Sequence, residues 1–226
     1  MTLPWRKPNP IRAAREYGLD LSLLTSALER SPEDRLISAA ENAGCVRALR
    51  GESQRTNLLG MLHTLARDEV RFILVGGLAA SAHGSAYLTT DLDICYDTEA
   101  KNVARLFGVL ERWGAVPRDG ETRDQRLDQA TLASAAVVRI RTDDGDVDLF
   151  ADMAGVGGYG VCSLMAETIT VHGCAIRVLG LDALIAAKRA APPSHEPGPL
   201  LSLEALRVLK EQRAAAIRSE NGPVLS

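Results

Sequence analysis

The stretch Arg71–Asp97, RFILVGGLAASAHGSAYLTTDLDICYD, limits what this chain can fold into more than any other segment. Phe72-Ile73-Leu74-Val75 is an apolar run of the length and branching expected of a buried strand. Gly76 and Gly77 break that run, Leu78 to Ala82 reads as a short helix, and Gly84-Ser85 marks a turn. A second strand passes through Asp91-Leu92-Asp93-Ile94. Strand alternation sends Asp91 and Asp93 to one face and turns Leu92 and Ile94 into the core. Two carboxylates so placed form a hard-oxygen site suited to Mg²⁺. The Gly76-Gly77 turn lets backbone approach a ligand closely, and its N–H groups with the helix start behind them suit an anion. Taken singly, Gly-Gly is common punctuation and Asp-x-Asp is often a solvated turn. Their succession inside apolar strands, where an unpaired charge is costly, favours a functional site.

A third carboxylate comes from later in the chain. Ala135–Arg141 reads as a strand, Asp143–Gly145 as a turn, and Asp146–Phe150 as the antiparallel return of a hairpin. Asp148 lies between Val147 and Leu149, so its side chain can share a surface with Asp91 and Asp93. Two-metal phosphoryl transfer needs such a neighbour, both to bridge metal and to take the proton of the attacking hydroxyl. Asp146 has the same parity but adjoins the turn, and an exposed turn acid and a supporting role are equally compatible with it.

Composition sets the outer bounds. A chain of 226 residues can bury one substantial core with a small accessory region. Aromatics at 4% argue against base-stacking platforms, and a net charge of −3 gives no global attraction to nucleic acid. A nucleic-acid partner would need a local basic patch. Cys45, Cys95, Cys162 and Cys174 lack CxxC spacing and read as free, buried thiols of a reducing cytosol. The opening MTLPWRKPNP lacks the apolar core of a signal peptide, and no stretch reaches the ~18 apolar residues of a membrane span. A cytoplasmic protein with no membrane partner is expected.

The remaining segments are read by periodicity and punctuation. Residues 1–20 are expected to be loose and Leu21–Leu28 a short helix. Ser31-Pro32-Glu33-Asp34 starts a helix that Gly51 closes. Further helices are expected from Gln54 to Arg67 and from Val103 to Trp113. Residues 117–130 are expected to form a charged loop, and the Gly-rich Met153–Gly160 a flexible connector without Walker spacing. A hairpin about His172-Gly173 leads to a helix over Leu181–Ala191, a proline-rich linker over 192–199, and a helix over Leu203–Ile217 with a basic face. The fold class is α+β, loosely α/β: a small mixed β-sheet with helices on one side. It divides into a helical N-terminal region (1–53), a core (54–191), and a linker with a C-terminal helix (192–226).

The segment VGGLAASAHGS…TTDLDI resembles the signature of the DNA polymerase-β-like nucleotidyltransferase superfamily. It is most similar to the small bacterial predicted nucleotidyltransferases that include AbiEii-type toxins, and the likeness extends more weakly from about Gln54 to Leu209. The resemblance implies transfer of a nucleoside monophosphate from an NTP to an RNA (tRNA) or protein acceptor. It also implies a toxin–antitoxin setting with a small antitoxin protein as partner. Asp91, Asp93 and Asp148 would be both catalytic residues and ligands of two Mg²⁺ ions. Gly76, Gly77, Thr89, Thr90 and Lys188 would hold the nucleotide. Two departures stand out. Tyr87 and Leu88 occupy the place of an Arg that members often carry. Lys188 and Ala190 match the start of a Lys-x-Ala…Arg-x-Lys-Asp element, but Pro192-Pro193-Ser194-His195-Glu196 follows instead. A catalytically silent nucleotide- or partner-binding module, and a small-molecule (antibiotic) nucleotidyltransferase, are the alternatives.

Overall fold

In the computed structural model, residues 9–49, 51, 56–118, 127–192 and 197–220 are described. Three helices come first: α1 (Pro10–Glu16), α2 (Leu21–Glu29) and α3 (Pro32–Leu49), followed by α4 (Leu58–Arg67). The central run is β1 (Phe72–Leu74), α5 (Gly76–His83), β2 (Asp91–Tyr96), α6 (Ala100–Arg112), β3 (Val116–Pro117) and α7 (Gln129–Ser134). The hairpin β4 (Val137–Thr142) and β5 (Gly145–Phe150) follows, then β6 (Asp152–Met153), β7 (Gly157–Gly158) and α8 (Tyr159–Leu164). A last hairpin, β8 (Ala166–Val171) and β9 (Cys174–Leu179), leads into α9 (Leu181–Ala190) and α10 (Gly198–Glu220).

Among the described residues the main sheet has the order β3-β4-β5-β2-β1-β9-β8. It is mixed: β2 runs parallel to β5 and β1 parallel to β9, while the other neighbours are antiparallel. The sequence expectation of a mixed sheet with associated helices, in an α+β arrangement, agrees with this architecture. Leu92, Ile94, Val147 and Leu149 are fully buried on one face of the central strands. Helices cover that face. Tyr96 on β2 donates to the Leu132 carbonyl of α7 at 2.6 Å, and Leu58 and Met61 of α4 abut Gly145 on β5. Val103, Leu106, Val109 and Leu110 of α6 join the same core. The other face carries Asp91, Asp93, Asp146 and Asp148, with the short α8 beside it, where Cys162 meets Cys95. Ala14, Leu24 and Ala205 form a second, smaller core that joins α1 and α2 to α10.

Several segments differ from the sequence reading. Within residues 1–20, Pro10–Glu16 is helical because the Asn9 side chain accepts from the Ile11 and Arg12 N–H groups and Pro10 sits at the first position. Burial of Ala14 then ties the turn down. Within 117–130, Asp128 caps α7 through the Thr131 N–H at 2.7 Å and Leu132 anchors it. Residues 119–126 and Gln54, the expected helix start, lie outside the described residues. Met153–Gly160 is ordered rather than an irregular connector, since β6 pairs with β7 and α8 begins at Tyr159. The last helix starts at Gly198, inside the expected linker, because Pro199 occupies a first-turn position that needs no amide donor. Cys95 and Cys162 are buried free thiols as expected, whereas Cys45 is exposed.

Candidate active site

The segment after β1 builds the site from the backbone outward. Gly76 opens α5 with φ +60°, a conformation that disfavours any side chain, and a Cβ there would overlap the Asp93 carboxylate. A Cβ on Gly77 would meet Thr89 Oγ1 at 2.5 Å. The two glycines therefore let the helix start press against β2 and the segment leading to it. The Gly77 N–H donates to Asp93 Oδ2 at 3.3 Å, and Thr89 Oγ1 donates to Asp91 Oδ1 at 2.7 Å. Two groups expected to cradle phosphate thus rest on the carboxylates themselves. Thr90 is half-buried beside them.

Parallel pairing of β2 with β5 sets Asp91 opposite Asp146 and Asp93 opposite Asp148. All four side chains emerge on one face. One carboxylate oxygen from each of Asp91, Asp93 and Asp148 lies within 4.8 Å of the other two. Their confinement has a charge consequence. Burial, then Asp91, then Asp148 push the Asp93 carboxyl up to about 8, against the weaker pull of the Gly77 amide and Arg118. Burial also raises Asp148, with Asp91 adding to the rise while Arg118 and Arg139 oppose it. Three carboxylates crowd together here, and the donors they offer are hard oxygens. Both properties fit a divalent cation such as Mg²⁺.

Asp146 lies one position up the same face in the opposite situation. Burial works to raise its carboxyl, but hydrogen bonds from Arg141 and Arg47, with Arg118 adding to them, hold it down to about 2. Arg47 Nη2 reaches it at 2.9 Å from α3, Arg141 Nε at 2.9 Å from β4, and Arg118 Nη1 at 3.2 Å. Arg118 also binds Asp148 at 2.6 Å, and Arg139 Nε reaches Asp148 at 3.3 Å. These four arginines were absent from the sequence reading. Arg139 and Arg141 could have been found, because hairpin register places them across from Asp148 and Asp146. Arg47 and Arg118 come from distant segments and leave no local signal.

The structure brings Asp91, Asp93, Asp148, Gly76, Gly77 and Thr89 into one neighbourhood. Lys188 is exposed in the last turn of α9 and makes no ion pair or hydrogen bond among the described residues. Residues 193–196, where the continuation of the Lys188 element would stand, lie outside the described residues. No helix among the described residues is long and apolar enough to cross a membrane.

No protein-family model matches the chain, and no curated protein matches it. Among solved structures it is similar to the antibiotic-resistance factor ANT(2'')-Ia, at 15% identity over 73% of this chain and 95% of that one, with a TM-score of 0.41. A candidate nucleotidyltransferase from Thermotoga maritima is similar at 15% identity over 72% of this chain and 88% of that one, with the same TM-score of 0.41. At that score neither likeness bears on function.

Proposed function

We propose that this protein is a metal-dependent nucleotidyltransferase that moves a nucleoside monophosphate from an NTP to a hydroxyl of an RNA (tRNA) or protein acceptor. The observation that carries the proposal is the gathering of Asp91, Asp93 and Asp148 from two adjacent strands, their oxygens within 4.8 Å, against the N-terminus of α5. These three carboxylates would hold Mg²⁺, two ions by the resemblance. When bound, the metal would neutralise phosphate charge and make the α-phosphorus more electrophilic. The chain's own part is to bind, orient and move one proton. The amides of Gly76 and Gly77, the hydroxyls of Thr89 and Thr90, and the Lys188 ammonium would hold the triphosphate. The acceptor oxygen bonds to the α-phosphorus as the bond to the β-phosphate oxygen breaks. Pyrophosphate leaves, and the hydroxyl proton passes to Asp148. Most of the rate gain would come from positioning.

The resemblance further supports a toxin of a toxin–antitoxin pair acting in the cytoplasm, with a small antitoxin protein as partner. One observation favours a second reading, a silent nucleotide- or partner-binding module: Asp148 is held by Arg118 and Arg139. On the leading proposal those guanidiniums must yield Asp148 to the metal. Incubation with each labelled NTP, Mg²⁺ and total RNA or lysate tests both. Label transfer that disappears in Asp93→Asn supports the enzyme. Nucleotide binding without transfer supports the silent module.

A further inference from the structure

A second cluster of charge lies at the far end of α5, where α2 meets α3 and α10 crosses them. Arg35 is its hub. The Arg35 Nε donates to the Ser31 carbonyl at 3.3 Å, whereas Nη1 is buried and has no hydrogen-bond partner. That Nη1 lies 3.2 Å from where a Cβ on Gly84 would stand, and Leu28 and Leu206 pack on the same glycine. Arg213 comes in from α10 and donates from Nη1 to the Leu28 carbonyl at 2.7 Å. Arg30 closes the other side, donating to the Asp34 carbonyl at 3.1 Å and to Ser38 Oγ at 2.5 Å. Burial first, then Arg213 and Arg30, lower the Arg35 pKa, so the guanidiniums are close enough to repel one another. Burial above all lowers the pKa of His83, the last residue of α5, and Lys210 and Arg35 add to that lowering.

Among the described residues, none of Arg30, Arg35, Lys210 and Arg213 forms an ion pair. Arg71, Arg112 and Arg189, by contrast, all reach carboxylates. A cleft of about 270 Å³ opens beside Arg213, lined by Thr25, Leu28, Glu29 and Leu209. Glu29 is the one carboxylate in that lining, and it pairs with none of the four cations. Converging like charges cost stability, and an anion with several oxygens at the exposed guanidiniums would offset that cost. Arginine forks suit phosphate oxygens in particular.

Position narrows the ligand. α5 starts on the Asp93 carboxylate and ends on Arg35, and its eight residues span roughly 12 Å. That is about three to four nucleotides of stacked strand at 3.4 Å each. Sparse aromatics leave a polynucleotide to be gripped by its backbone rather than by its bases. We propose that Arg30, Arg35, Lys210 and Arg213 bind the phosphodiester backbone of a polynucleotide acceptor whose reactive end lies at Asp91, Asp93 and Asp148. The acceptor role rests on the nucleotidyl-transfer reading; the binding itself does not.

Anisotropy titrations of a labelled 20-nucleotide RNA, the same sequence as DNA, and polyglutamate, all in EDTA at several salt concentrations, test it. The double variant Arg30→Glu/Arg213→Glu alters exposed side chains, and its melting temperature reports on folding. Arg35→Gln is the second probe. Polynucleotide affinity should fall roughly tenfold or more in the double variant, and the salt slope should drop by about 0.7 for each phosphate no longer neutralised. Tighter RNA than DNA binding identifies RNA as the source, and equal binding indicates a grip on backbone alone; both support the patch. Unchanged affinity and slope in both variants overturn it, as does polyglutamate binding as tightly as the polynucleotides. Patch-dependent RNA binding with no transfer in Mg²⁺ and NTP would sink the enzyme reading and leave the patch standing. Transfer to RNA with an unchanged KM in the double variant would do the reverse.

Discussion

Asp93 and Asp146 lie on neighbouring strands of one sheet, their side chains on the same face, and they sit in opposite electrostatic worlds. Asp93 has two carboxylates for neighbours and one backbone amide donating to it, and its carboxyl is pushed up to about 8. Asp146 is ringed by Arg47, Arg118 and Arg141 and is held down to about 2. Both are aspartates in an apolar strand, so residue type and parity cannot tell them apart. The difference lies in what each surrounding brings. Around Asp146 the fold supplies its own counter-charges, and the carboxylate acts as an internal anchor between α3, β4 and β5. Around Asp93 the fold supplies more negative charge, an arrangement that makes sense as preparation for an external cation. Asp148 stands between the two, sharing Arg118 with Asp146 and a candidate cation site with Asp93.

The strongest way to break this comparison is to remove the charge at the triad. Asp93→Asn is expected to abolish Mg²⁺-dependent transfer while the protein stays folded. Mg²⁺ should raise the melting temperature of the wild type and not of the variant, because a ligand stabilises only the state that binds it. Asp148→Asn should also end turnover. Persistent transfer by Asp93→Asn, measured with labelled NTP, would remove the catalytic assignment.

The matching change at the anchor should act on stability. Asp146→Ala takes the Asp146 carboxylate away from Arg47, whose side chain is only 4% exposed. Breaking such a buried pair typically costs about 3–5 kcal/mol. Asp146 read from sequence as a turn acid or an outer support of the metal site. Its burial rules out an exposed turn acid, and the arginine ring gives it a structural role as well. Urea unfolding in EDTA should give a loss of that size for Asp146→Ala, against no loss, or a slight gain, for Asp93→Asn. Equal losses would erase the distinction between the two carboxylates.

Titration separates the pair without mutating either. A carboxyl raised to about 8 in the fold, against an ordinary 3.8, makes the folded state hold a proton that the unfolded chain releases. Metal-free stability should therefore decline as pH rises from about 4 to about 8, by up to roughly 1.4 kcal/mol per unit from this group. Asp146 has the opposite sign: its contribution is present above the ordinary 3.8 and is lost as pH falls towards 2. Unfolding curves in EDTA across pH 5–8 should slope downward for the wild type and flatten for Asp93→Asn. A slope unchanged in that variant would mean that another group carries the effect.

How much of this could be read from sequence follows from the range of each interaction. Strand parity and the Gly-Gly break gave the β1–α5–β2 unit, and the apolar neighbours of Asp148 placed it on the right face, because those signals lie within a few residues. Helix α1 has a local cap in Asn9 and Pro10, but the core that ties it down includes Leu201, Ala205 and Leu209, far along the chain. The ring around Asp146 was half legible. Arg139 and Arg141 follow from hairpin register, while Arg47 and Arg118 are set by tertiary packing that no local pattern records. Thr89 and the Gly77 amide meet carboxylates, contacts set by the close packing of the α5 start against β2.

Lys188 should show the smallest effect, and it sharpens the comparison from outside the sheet. Arg47 and Arg141 are held on Asp146, so they contribute little to holding a triphosphate at the triad. Lys188 is exposed, lies in the last turn of α9, and has no partner among the described residues. Removing it should leave stability within about 0.5 kcal/mol, as for most surface substitutions. If its ammonium meets the β- or γ-phosphate, Lys188→Ala should weaken NTP binding by about 1.5 kcal/mol, or roughly tenfold, the low end for a hydrogen bond to a charged group. The low end applies because solvent screens an exposed cation. Lys188→Arg should restore most of the loss, since a phosphate accepts either cation. Titration of an NTP into the three proteins, with Mg²⁺ held constant, reads this directly. Equal affinity in all three would return Lys188 to the role of a helix-end cation facing solvent. The triphosphate would then be held by the α5 amides and the metal-ligating carboxylates alone.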